Sequence, residues 1–385
     1  MPQEIIGPLL SIGAALELPV IGYLLLALVL AGVVSFATTP LVKALSVKVG
    51  AIDVPRDGRR MHDHPIPRMG GLAIFLGFII SVLLLMPLDQ PKQGMLLGAV
   101  IIVVLGIFDD IYSLKASFKF VIQIVAAVIA VCSGNVIATI SNPNVFSANL
   151  YWDLGWLAYP ATVIWIVAIT NAVNLIDGLD GLACGVSTIS SMTLLVIAMS
   201  VGEVPIALMV AALCGGCLGF LPYNLNPAKI FMGDTGSTFL GFVLAVISVQ
   251  GLFKLYTIIS FVVPFLMLGL PIFDTCFAFI RRIAHGQSPM HADRSHVHHR
   301  LIDMGFSQKQ AVAVLYIISA ILGLSAVVLT TEGPVKAMLL LMALCAAGAV
   351  AGQLFIHNNN KKNRGNPSQN PAEPEAGAGE EEEKK

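Results

Sequence analysis

Long apolar runs separated by short polar stretches are the main pattern of this chain. A helix needs roughly 20 apolar residues to cross a bilayer core of about 30 Å, and about eleven runs approach that length. They lie near residues 19–42, 70–87, 94–108, 119–134, 157–173, 184–201, 205–222, 237–252, 255–280, 311–330 and 335–356. Pro264 and Pro271 are expected to kink or split the ninth run. The pattern predicts an all-α fold, a polytopic membrane protein with about 11 transmembrane helices.

The composition agrees with this pattern up to residue 356 and changes after it. Hydrophobic residues make up 56% of the chain and charged residues 12%, whereas soluble proteins carry about 25% charged residues. Residues 357–385 are instead rich in Asn, Pro, Gly and Glu, and they cannot bury enough apolar surface to fold. We therefore expect a multi-span membrane domain over residues 1–356 and a disordered acidic tail over residues 357–385.

The basic residues indicate the orientation of the chain. With the predicted spans, only Lys92, Lys254 and Lys336 of the 22 Lys and Arg residues fall on one side of the membrane. The positive-inside rule makes the other, basic side cytoplasmic. This predicts an outside N-terminus and a cytoplasmic C-terminus, in a plasma membrane.

Five polar clusters fall on the predicted cytoplasmic face, within residues 56–71, 109–119, 174–181, 222–237 and 281–309. Ionisable residues at a membrane border are costly and usually mark a functional site. Because the clusters share one face, we expect them to form a single composite site.

Carboxylates dominate two of these clusters. Asp109 and Asp110 are adjacent, so they repel unless a cation such as Mg²⁺ neutralises them. A solvated helix end with a nearby lysine pair is an equally good interpretation of these two residues. Asn174, Asp177 and Asp180 are spaced by three, which would place them on one helical face. A helix-ending turn explains the neighbouring glycines but not that register, so we favour a functional role.

Residues 231–237 form a glycine-flanked acidic segment at the start of the eighth run. Asp234 lies beside a predicted helix N-terminus, whose free N–H groups would form a site for a phosphate anion. The carboxylate of Asp234 could then bind a Mg²⁺ ion that the phosphate also binds. A simple turn with a helix cap is the alternative. The other clusters favour the functional interpretation, because they could supply the remaining ligands.

The last two clusters combine histidine and arginine. Four of the eight histidines occur within residues 291–299, a segment that suits polyphosphate better than zinc or an inert basic loop. Its candidate site residues are His291, Arg294, His296, His298 and His299. The proline-stiffened segment that contains Arg60 and Arg68 could position an anion or only supply the positive-inside signal.

Taken in order, these motifs resemble the polyprenyl-phosphate N-acetylhexosamine-1-phosphate transferases of glycosyltransferase family 4. The resemblance runs from about Lys43 to Leu301 and rests on residues 65–71, 109–110, 171–182, 231–237 and 291–301. The histidine segment is similar to the bacterial undecaprenyl-phosphate GlcNAc-1-phosphate branch, which initiates teichoic-acid linkage units or O-antigen. The muramoyl-pentapeptide transferases share the aspartates but have a different histidine pattern. The acidic tail lies outside the resemblance.

The resemblance implies a reaction and its participants. UDP-GlcNAc and undecaprenyl phosphate would give undecaprenyl-pyrophosphoryl-GlcNAc and UMP, with Mg²⁺ as cofactor and Mn²⁺ as a substitute. The expected partners are a UDP-sugar, a polyprenyl-phosphate lipid and the membrane, with no nucleic acid; a homodimer is compatible with this class. Another UDP-N-acetylhexosamine or UDP-MurNAc-pentapeptide is the alternative donor.

The resemblance also implies roles for individual residues. Asp109 and Asp110 would lie by the lipid phosphate and the metal, and Lys119 near the phosphates. Asp234 would bind Mg²⁺ with Asn174. Asp177 and Asp180 would line the nucleotide pocket, and Phe231 would stack on uracil. The remaining substrate contacts would come from basic residues: Arg60, Arg68, His291, Arg294, His296, His298 and His299.

Two other classes compete with this interpretation. A CDP-alcohol phosphatidyltransferase would need an Arg and a later acidic pair after Asp177-Gly, which the chain lacks. An ion-coupled transporter could use Asp177, Asp180 and Asp274, but it would need charges near the bilayer midplane.

The transferase reaction itself could proceed by direct attack or through a covalent aspartyl intermediate. We favour direct attack, because the lipid phosphate is largely dianionic at neutral pH.

Overall fold

The computed structural model describes residues 20–55, 64–141, 151–251, 262–284, 286, 296–333 and 335–344. The chain divides into two compact units, Met1–Ala337 and Met338–Lys385, and only residues 338–344 of the second are described. Arg60, His291, Arg294 and the acidic tail therefore lie outside the described residues, and their predicted roles stay predictions.

Helices make up most of the described chain. They are α1 (Val20–Val49), α2 (Gly71–Leu85), α3 (Gln90–Tyr112), α4 (Ala116–Cys132), α5 (Ala158–Leu175), α6 (Leu182–Ser200), α7 (Val204–Asn224), α8 (Gly233–Gly251), α9 (Val262–Met267), α10 (Gly269–Ala284), α11 (Val297–Asp303), α12 (Gln308–Glu332) and α13 (Val335–Leu344). The ninth apolar run divides at Leu268, between Pro264 and Pro271, as its prolines predicted.

Two short antiparallel hairpins accompany the helices. Strands β1 (Ile52–Asp53) and β2 (Ile66–Pro67) pair Ile52 with Pro67, and strands β3 (Thr139–Ser141) and β4 (Tyr151–Asp153) pair Ile140 with Trp152. The all-α prediction omitted both, because strands of two or three residues leave no periodic signal in the sequence.

Six of the described helices are long and apolar enough to cross a membrane: α1, α3, α6, α7, α12, and α5 with the short 3₁₀ turn before it. Helices α2, α4 and α13 are apolar but shorter. A multi-pass helical membrane protein is thereby confirmed. The number of spans, about eleven from the sequence, stays a prediction.

Helix α8 is the centre of the helical assembly. Every residue of α8 except Asp234 is buried, and α8 packs against α2, α3, α5, α6 and α7. Two glycines allow the closest approaches. A Cβ on Gly71 would lie 1.9 Å from Gly236 Cα, and one on Gly106 would lie 2.4 Å from Thr235 Cα. The first turn of α8 is therefore held against the start of α2 and the last turns of α3.

Candidate active site

A polar recess of about 390 Å³ opens at the first turn of α8. Its walls come from the β1–β2 hairpin with the residue that follows it, the end of α5 with the loop that follows, the end of α7 with the loop to α8, the starts of α8 and α12, and α11. The lining residues are Asp53, Arg68, Asn174, Asp177, Gly178, Leu179, Asp180, Asn224, Phe231, Met232, Gly233, Asp234, His299 and Gln308. Four of the five polar clusters that the sequence predicted to meet contribute side chains to this wall.

Asp110, at the end of α3, caps α8 from outside that helix. Its Oδ1 accepts from Asp234 N (3.0 Å), and its Oδ2 accepts from Thr235 N (3.1 Å) and Thr235 Oγ1 (2.7 Å). Arg68 Nη2 lies 3.2 Å from Asp110 Oδ1, and the Asp110 side chain is fully buried. A carboxylate suits the positive end of a helix and satisfies its free N–H groups. Asp110 therefore fixes the position of Asp234.

Lys119 joins two other carboxylates at the edge of the recess. Its Nζ lies 2.8 Å from Asp109 Oδ2 and 2.7 Å from Asp234 Oδ2. The second oxygen of Asp109 accepts from Leu114 N at 2.7 Å. The adjacent carboxylates Asp109 and Asp110 thus differ in surroundings. Asp110 is a helix cap, and Asp109 shares the ammonium group of Lys119 with Asp234. In this arrangement Asp109 and Asp234 are better placed than Asp110 to meet a ligand.

Asn174, on the last turn of α5, also lines the recess. Its Nδ2 donates to Ser237 Oγ at 2.7 Å, and Ser237 Oγ donates to Gly233 O at 3.0 Å. Because the side-chain nitrogen of Asn174 donates this hydrogen bond to Ser237, the Asn174 Oδ1 oxygen is the atom that could bind a ligand. Because α8 also carries Asp234 on its first turn, the hydrogen bond holds the two candidate metal ligands at the same helix end.

The predicted helical stripe of Asn174, Asp177 and Asp180 is wrong. Helix α5 ends at Leu175 and α6 begins at Leu182, so the two aspartates lie in the intervening turn. All three residues still line the recess. A left-handed Gly181 (φ 76°) turns the chain into α6, and this turn, not a helix, brings the carboxylates together.

The two aspartates of this turn have different environments. Asp180 Oδ2 accepts from Asn226 Nδ2 (2.9 Å) and Ala228 N (3.0 Å), so Asp180 holds the loop between α7 and α8. Burial, then the charges of Asp234 and Asp110, raises the pKa of Asp177 to about 8. A cation bound in the recess would therefore stabilise the charged form of Asp177.

The raised pKa of Asp177 gives a prediction for the metal-free protein. The folded state holds a proton on Asp177 that the unfolded chain releases, so stability falls as the pH rises from about 4 to about 8. Replacement by asparagine removes this loss. Thermal unfolding of the detergent-purified protein in EDTA should show Asp177→Asn more stable than the wild type at pH 8, with the difference shrinking towards pH 5. Equal stability at both pH values would contradict the assignment.

The three described histidines of the predicted phosphate-binding segment have different positions. His299 lines the recess. His298 is buried against Gly178, where a Cβ would lie 2.3 Å from His298 Nε2, and burial followed by the charge of His299 lowers the pKa of His298 to about 4. His296 Nδ1 lies 2.9 Å from Asp274 Oδ2. His298 is therefore neutral near pH 7, and His299 is the member of the three that faces the recess.

Phe231 is held by the segment that precedes α2. Phe231 N donates to Pro67 O at 2.8 Å, and Phe231 O accepts from Gly70 N at 2.9 Å. These bonds place the Phe231 backbone beside Arg68, which also lines the recess. The proline-stiffened segment and residues 231–237 therefore lie together at the recess.

Three polar lining residues were not singled out from the sequence: Asp53 lies outside every predicted cluster, whereas Asn224 and Gln308 lie within the predicted clusters 222–237 and 281–309. Gln308 had a usable signal, since Ser307 and Gln310 form a capping box that marks the start of α12. Asp53 lies in a two-residue strand and Asn224 ends an apolar helix, so neither has a local pattern that indicates a site.

The donor set of the recess fits a hard divalent cation. Among the described residues, no three His, Cys, Asp or Glu side chains converge closely enough to form a complete metal site. Mg²⁺ needs less than this, because it often binds through one or two carboxylates together with waters and substrate phosphates. Asp234 and the Asn174 oxygen could supply ligands of that kind, with Asp177 beside them in the recess wall.

The fold and the recess define a class: a multi-pass helical membrane protein with a polar, cation-suited site at its helix ends. Residues 93–252 match the model of glycosyl transferase family 4. A Bacillus subtilis protein described as a probable undecaprenyl-phosphate N-acetylglucosaminyl 1-phosphate transferase is 48% identical over 78% of this chain and 85% of its own length. The chain belongs to glycosyl transferase family 4, as the resemblance of its motifs indicated.

Two further relatives show how widely the similarity extends. The decaprenyl-phosphate N-acetylglucosaminephosphotransferase of Mycolicibacterium smegmatis is 33% identical over 74% of this chain and 77% of its own length. A phospho-N-acetylmuramoyl-pentapeptide-transferase of Moorella thermoacetica is 31% identical over 79% of this chain and 98% of its own length. The similarity is higher to the N-acetylglucosaminyl protein of Bacillus subtilis than to either of these relatives.

Proposed function

We propose that this protein transfers GlcNAc-1-phosphate from UDP-GlcNAc to undecaprenyl phosphate, which gives undecaprenyl-pyrophosphoryl-GlcNAc and UMP. The observation that carries the proposal is the ion-paired group Asp109–Lys119–Asp234 beside a recess of about 390 Å³. Such a site can bring two anionic substrates together, and the 48% identical relative is described as a probable undecaprenyl-phosphate N-acetylglucosaminyl 1-phosphate transferase. The product would initiate a cell-wall or surface glycan.

The recess would bind the UDP-sugar. Phe231 offers a ring for the uracil, and Asp177 and Asp180 would line the nucleotide pocket. Asp234 and Asn174 would hold a Mg²⁺ ion, which would neutralise charge on the pyrophosphate when bound. His299 and Arg68 would contact the phosphates from the recess wall.

The chemical step would be a direct attack. An oxygen of the lipid phosphate forms a bond to the β-phosphorus of UDP-GlcNAc, the bond from that phosphorus to the bridging oxygen breaks, and UMP leaves with the oxygen. A phosphomonoester has a second pKa near 6, so the acceptor is largely dianionic at neutral pH and needs no strong base. Asp109 would orient the acceptor phosphate or accept its remaining proton, and Lys119 would offset the repulsion between the anions.

The recess would lie at the cytoplasmic face of a bacterial plasma membrane. The positive-inside distribution of Lys and Arg supports that orientation, with about eleven spans, an outside N-terminus and a cytoplasmic tail. UDP-sugar would then reach the recess from water and the lipid phosphate from the bilayer. A homodimer is compatible with this arrangement.

The acceptor chain would lie in the apolar groove between α5, α9 and α10. This groove has a volume of about 390 Å³ and is lined by Ile164, Ala168, Ala172 and Phe265 among other apolar residues. Ala172 lies just before Asn174 on α5, so the groove leads along α5 towards the recess. A second apolar groove, between α3 and α4, includes Val104.

Tryptophan substitutions distinguish the two grooves. Ala168→Trp should raise KM for undecaprenyl phosphate about tenfold, because an indole fills space that an isoprenoid chain needs, and leave KM for UDP-GlcNAc unchanged. Val104→Trp is the matched control in the α3–α4 groove and should leave both constants unchanged. Steady-state kinetics of UMP release in detergent measures both. The reverse pattern would move the acceptor chain to the α3–α4 groove.

A comparison of four UDP-sugars tests which of them is the donor. The purified protein is supplied with undecaprenyl phosphate and one of UDP-GlcNAc, UDP-GalNAc, UDP-glucose or UDP-MurNAc-pentapeptide, and UMP and the lipid product are followed. We expect kcat/KM to be highest for UDP-GlcNAc. Preference for UDP-MurNAc-pentapeptide would overturn the proposed donor while leaving the reaction class intact.

A further inference from the structure

Asp274 is a buried acidic residue that the proposed reaction has not used. It lies on α10, is 3% exposed and is not among the residues that line the recess. Burying a charged carboxylate is costly unless hydrogen bonds or an opposite charge compensate it. Such a residue therefore needs partners, and its partners indicate its role.

Both oxygens of Asp274 hold the start of α11. Oδ2 lies 2.9 Å from His296 Nδ1, and Oδ1 accepts from Val297 N at 2.8 Å. His296 immediately precedes α11 and makes no side-chain capping bond of its own. Asp274 therefore supplies the missing cap from a neighbouring helix and at the same time orients the His296 ring.

The histidines that follow connect this cap to the recess. The His296 and His298 rings are parallel with centroids 5.8 Å apart, and the His298 and His299 centroids are 4.3 Å apart. His298 is packed against Gly178, and His299 lines the recess. A shift of His296 would therefore move His298 and His299 relative to the wall that carries Gly178.

We propose that Asp274 is a positioning residue, which fixes His296 and the first amide of α11 and so holds His299 at the wall of the recess. A carboxylate bonded to histidine Nδ1 sets the orientation of the ring and which nitrogen carries the proton. The inference rests on the proposed function, in which His299 contacts the phosphates of the UDP-sugar. Asp274 acts through His299 and touches no substrate.

The test is a double-mutant cycle in the UMP-release assay, with Asp274→Ala, Asp274→Asn, His299→Ala and the combined Asp274→Ala/His299→Ala variant. Asp274→Ala should lower kcat/KM for UDP-GlcNAc about 10- to 100-fold, since small misplacements of binding groups cost about that much. KM for undecaprenyl phosphate should stay within about twofold. Asp274→Asn should lose less, because its amide oxygen can still accept from Val297 N.

The combined variant separates positioning from general damage to the fold. If Asp274 acts through His299, the double variant is no worse than His299→Ala, because coupled residues give non-additive effects. Losses that multiply would overturn the inference, as would wild-type kinetics for Asp274→Ala. If the alanine variant does not fold, the cycle is run with Asp274→Asn.

Two controls accompany the cycle. Asp303→Ala, an exposed acid at the other end of α11, should keep wild-type kinetics. Wild-type protein is assayed in parallel. Absence of UMP release from the wild type would refute the proposed function, whereas an active wild type with an equally active Asp274→Ala would refute only the role of Asp274.

Discussion

Replacing Asp234 by alanine is expected to abolish Mg²⁺-dependent UMP release, a loss of about 1,000-fold or more. Asp234 is the one residue of α8 that is not buried, and it lies in the recess wall within 2.7 Å of Lys119 Nζ. Its removal would take away the main candidate ligand for Mg²⁺ and leave Lys119 paired with Asp109 alone. Both consequences affect the binding of phosphate groups directly.

The measurement is initial-rate UMP release at several Mg²⁺ concentrations. Asp153→Ala is the matched control, because Asp153 is an exposed aspartate on β4 and is not among the residues that line the recess. It should keep wild-type rates. Intact UMP release by Asp234→Ala, at any Mg²⁺ concentration, would refute the assignment of Asp234 to the site.

Asp109 and Asp110 should respond differently to substitution, although they are adjacent. Asp110→Ala should lower the free energy of unfolding by about 3 kcal/mol, because it leaves the N–H groups of Asp234 and Thr235 without their acceptor and removes a buried partner of Arg68. Its loss of activity should follow from that structural damage.

Asp109→Asn should leave stability nearly unchanged and lower kcat about 100-fold or more. The asparagine oxygen can still accept from Leu114 N, but the ion pair with Lys119 is lost. Thermal unfolding and kcat are measured for both variants in the same detergent. Equal destabilisation by the two substitutions would contradict the division into a capping and a reacting carboxylate.

Much of the site could be predicted from the sequence, because its residues occur in compact motifs. Asn174, Asp177, Asp180, Phe231 and Asp234 were all predicted, and all line the recess. Apolar runs, together with the positive-inside rule, were enough to predict that these motifs lie close together. Residue types and their spacing are therefore enough to predict many of the residues that line the recess.

The arrangement of those participants could not be predicted, since it depends on contacts between distant helices. No local pattern distinguishes Asp110, which caps α8, from Asp109, which binds Lys119. The burial of His298 against Gly178 depends on how α11 packs. The role of Asp274 could not be read from the sequence, because its partners lie more than 20 residues along the chain.

The membrane spans were also only partly predictable from the sequence. Helix α8 was predicted as a membrane span from residues 237–252, yet it is not among the helices apolar enough to be one by composition. Its small and polar residues, including Thr235, Ser237, Thr238 and Ser248, are buried among other helices and do not need to face lipid. Apolar length and composition therefore identify six of the described helices as candidate spans and do not include the central helix α8.

The central claim is that one site joins a UDP-sugar to a lipid phosphate by direct transfer. It is tested most directly by supplying purified protein with UDP-GlcNAc, undecaprenyl phosphate and Mg²⁺, and quantifying UMP and the lipid product by mass spectrometry. We predict equal amounts of UMP and undecaprenyl-pyrophosphoryl-GlcNAc, and neither product when one substrate is omitted. Release of UMP, or exchange of labelled UMP into UDP-GlcNAc, in the absence of undecaprenyl phosphate would contradict direct transfer.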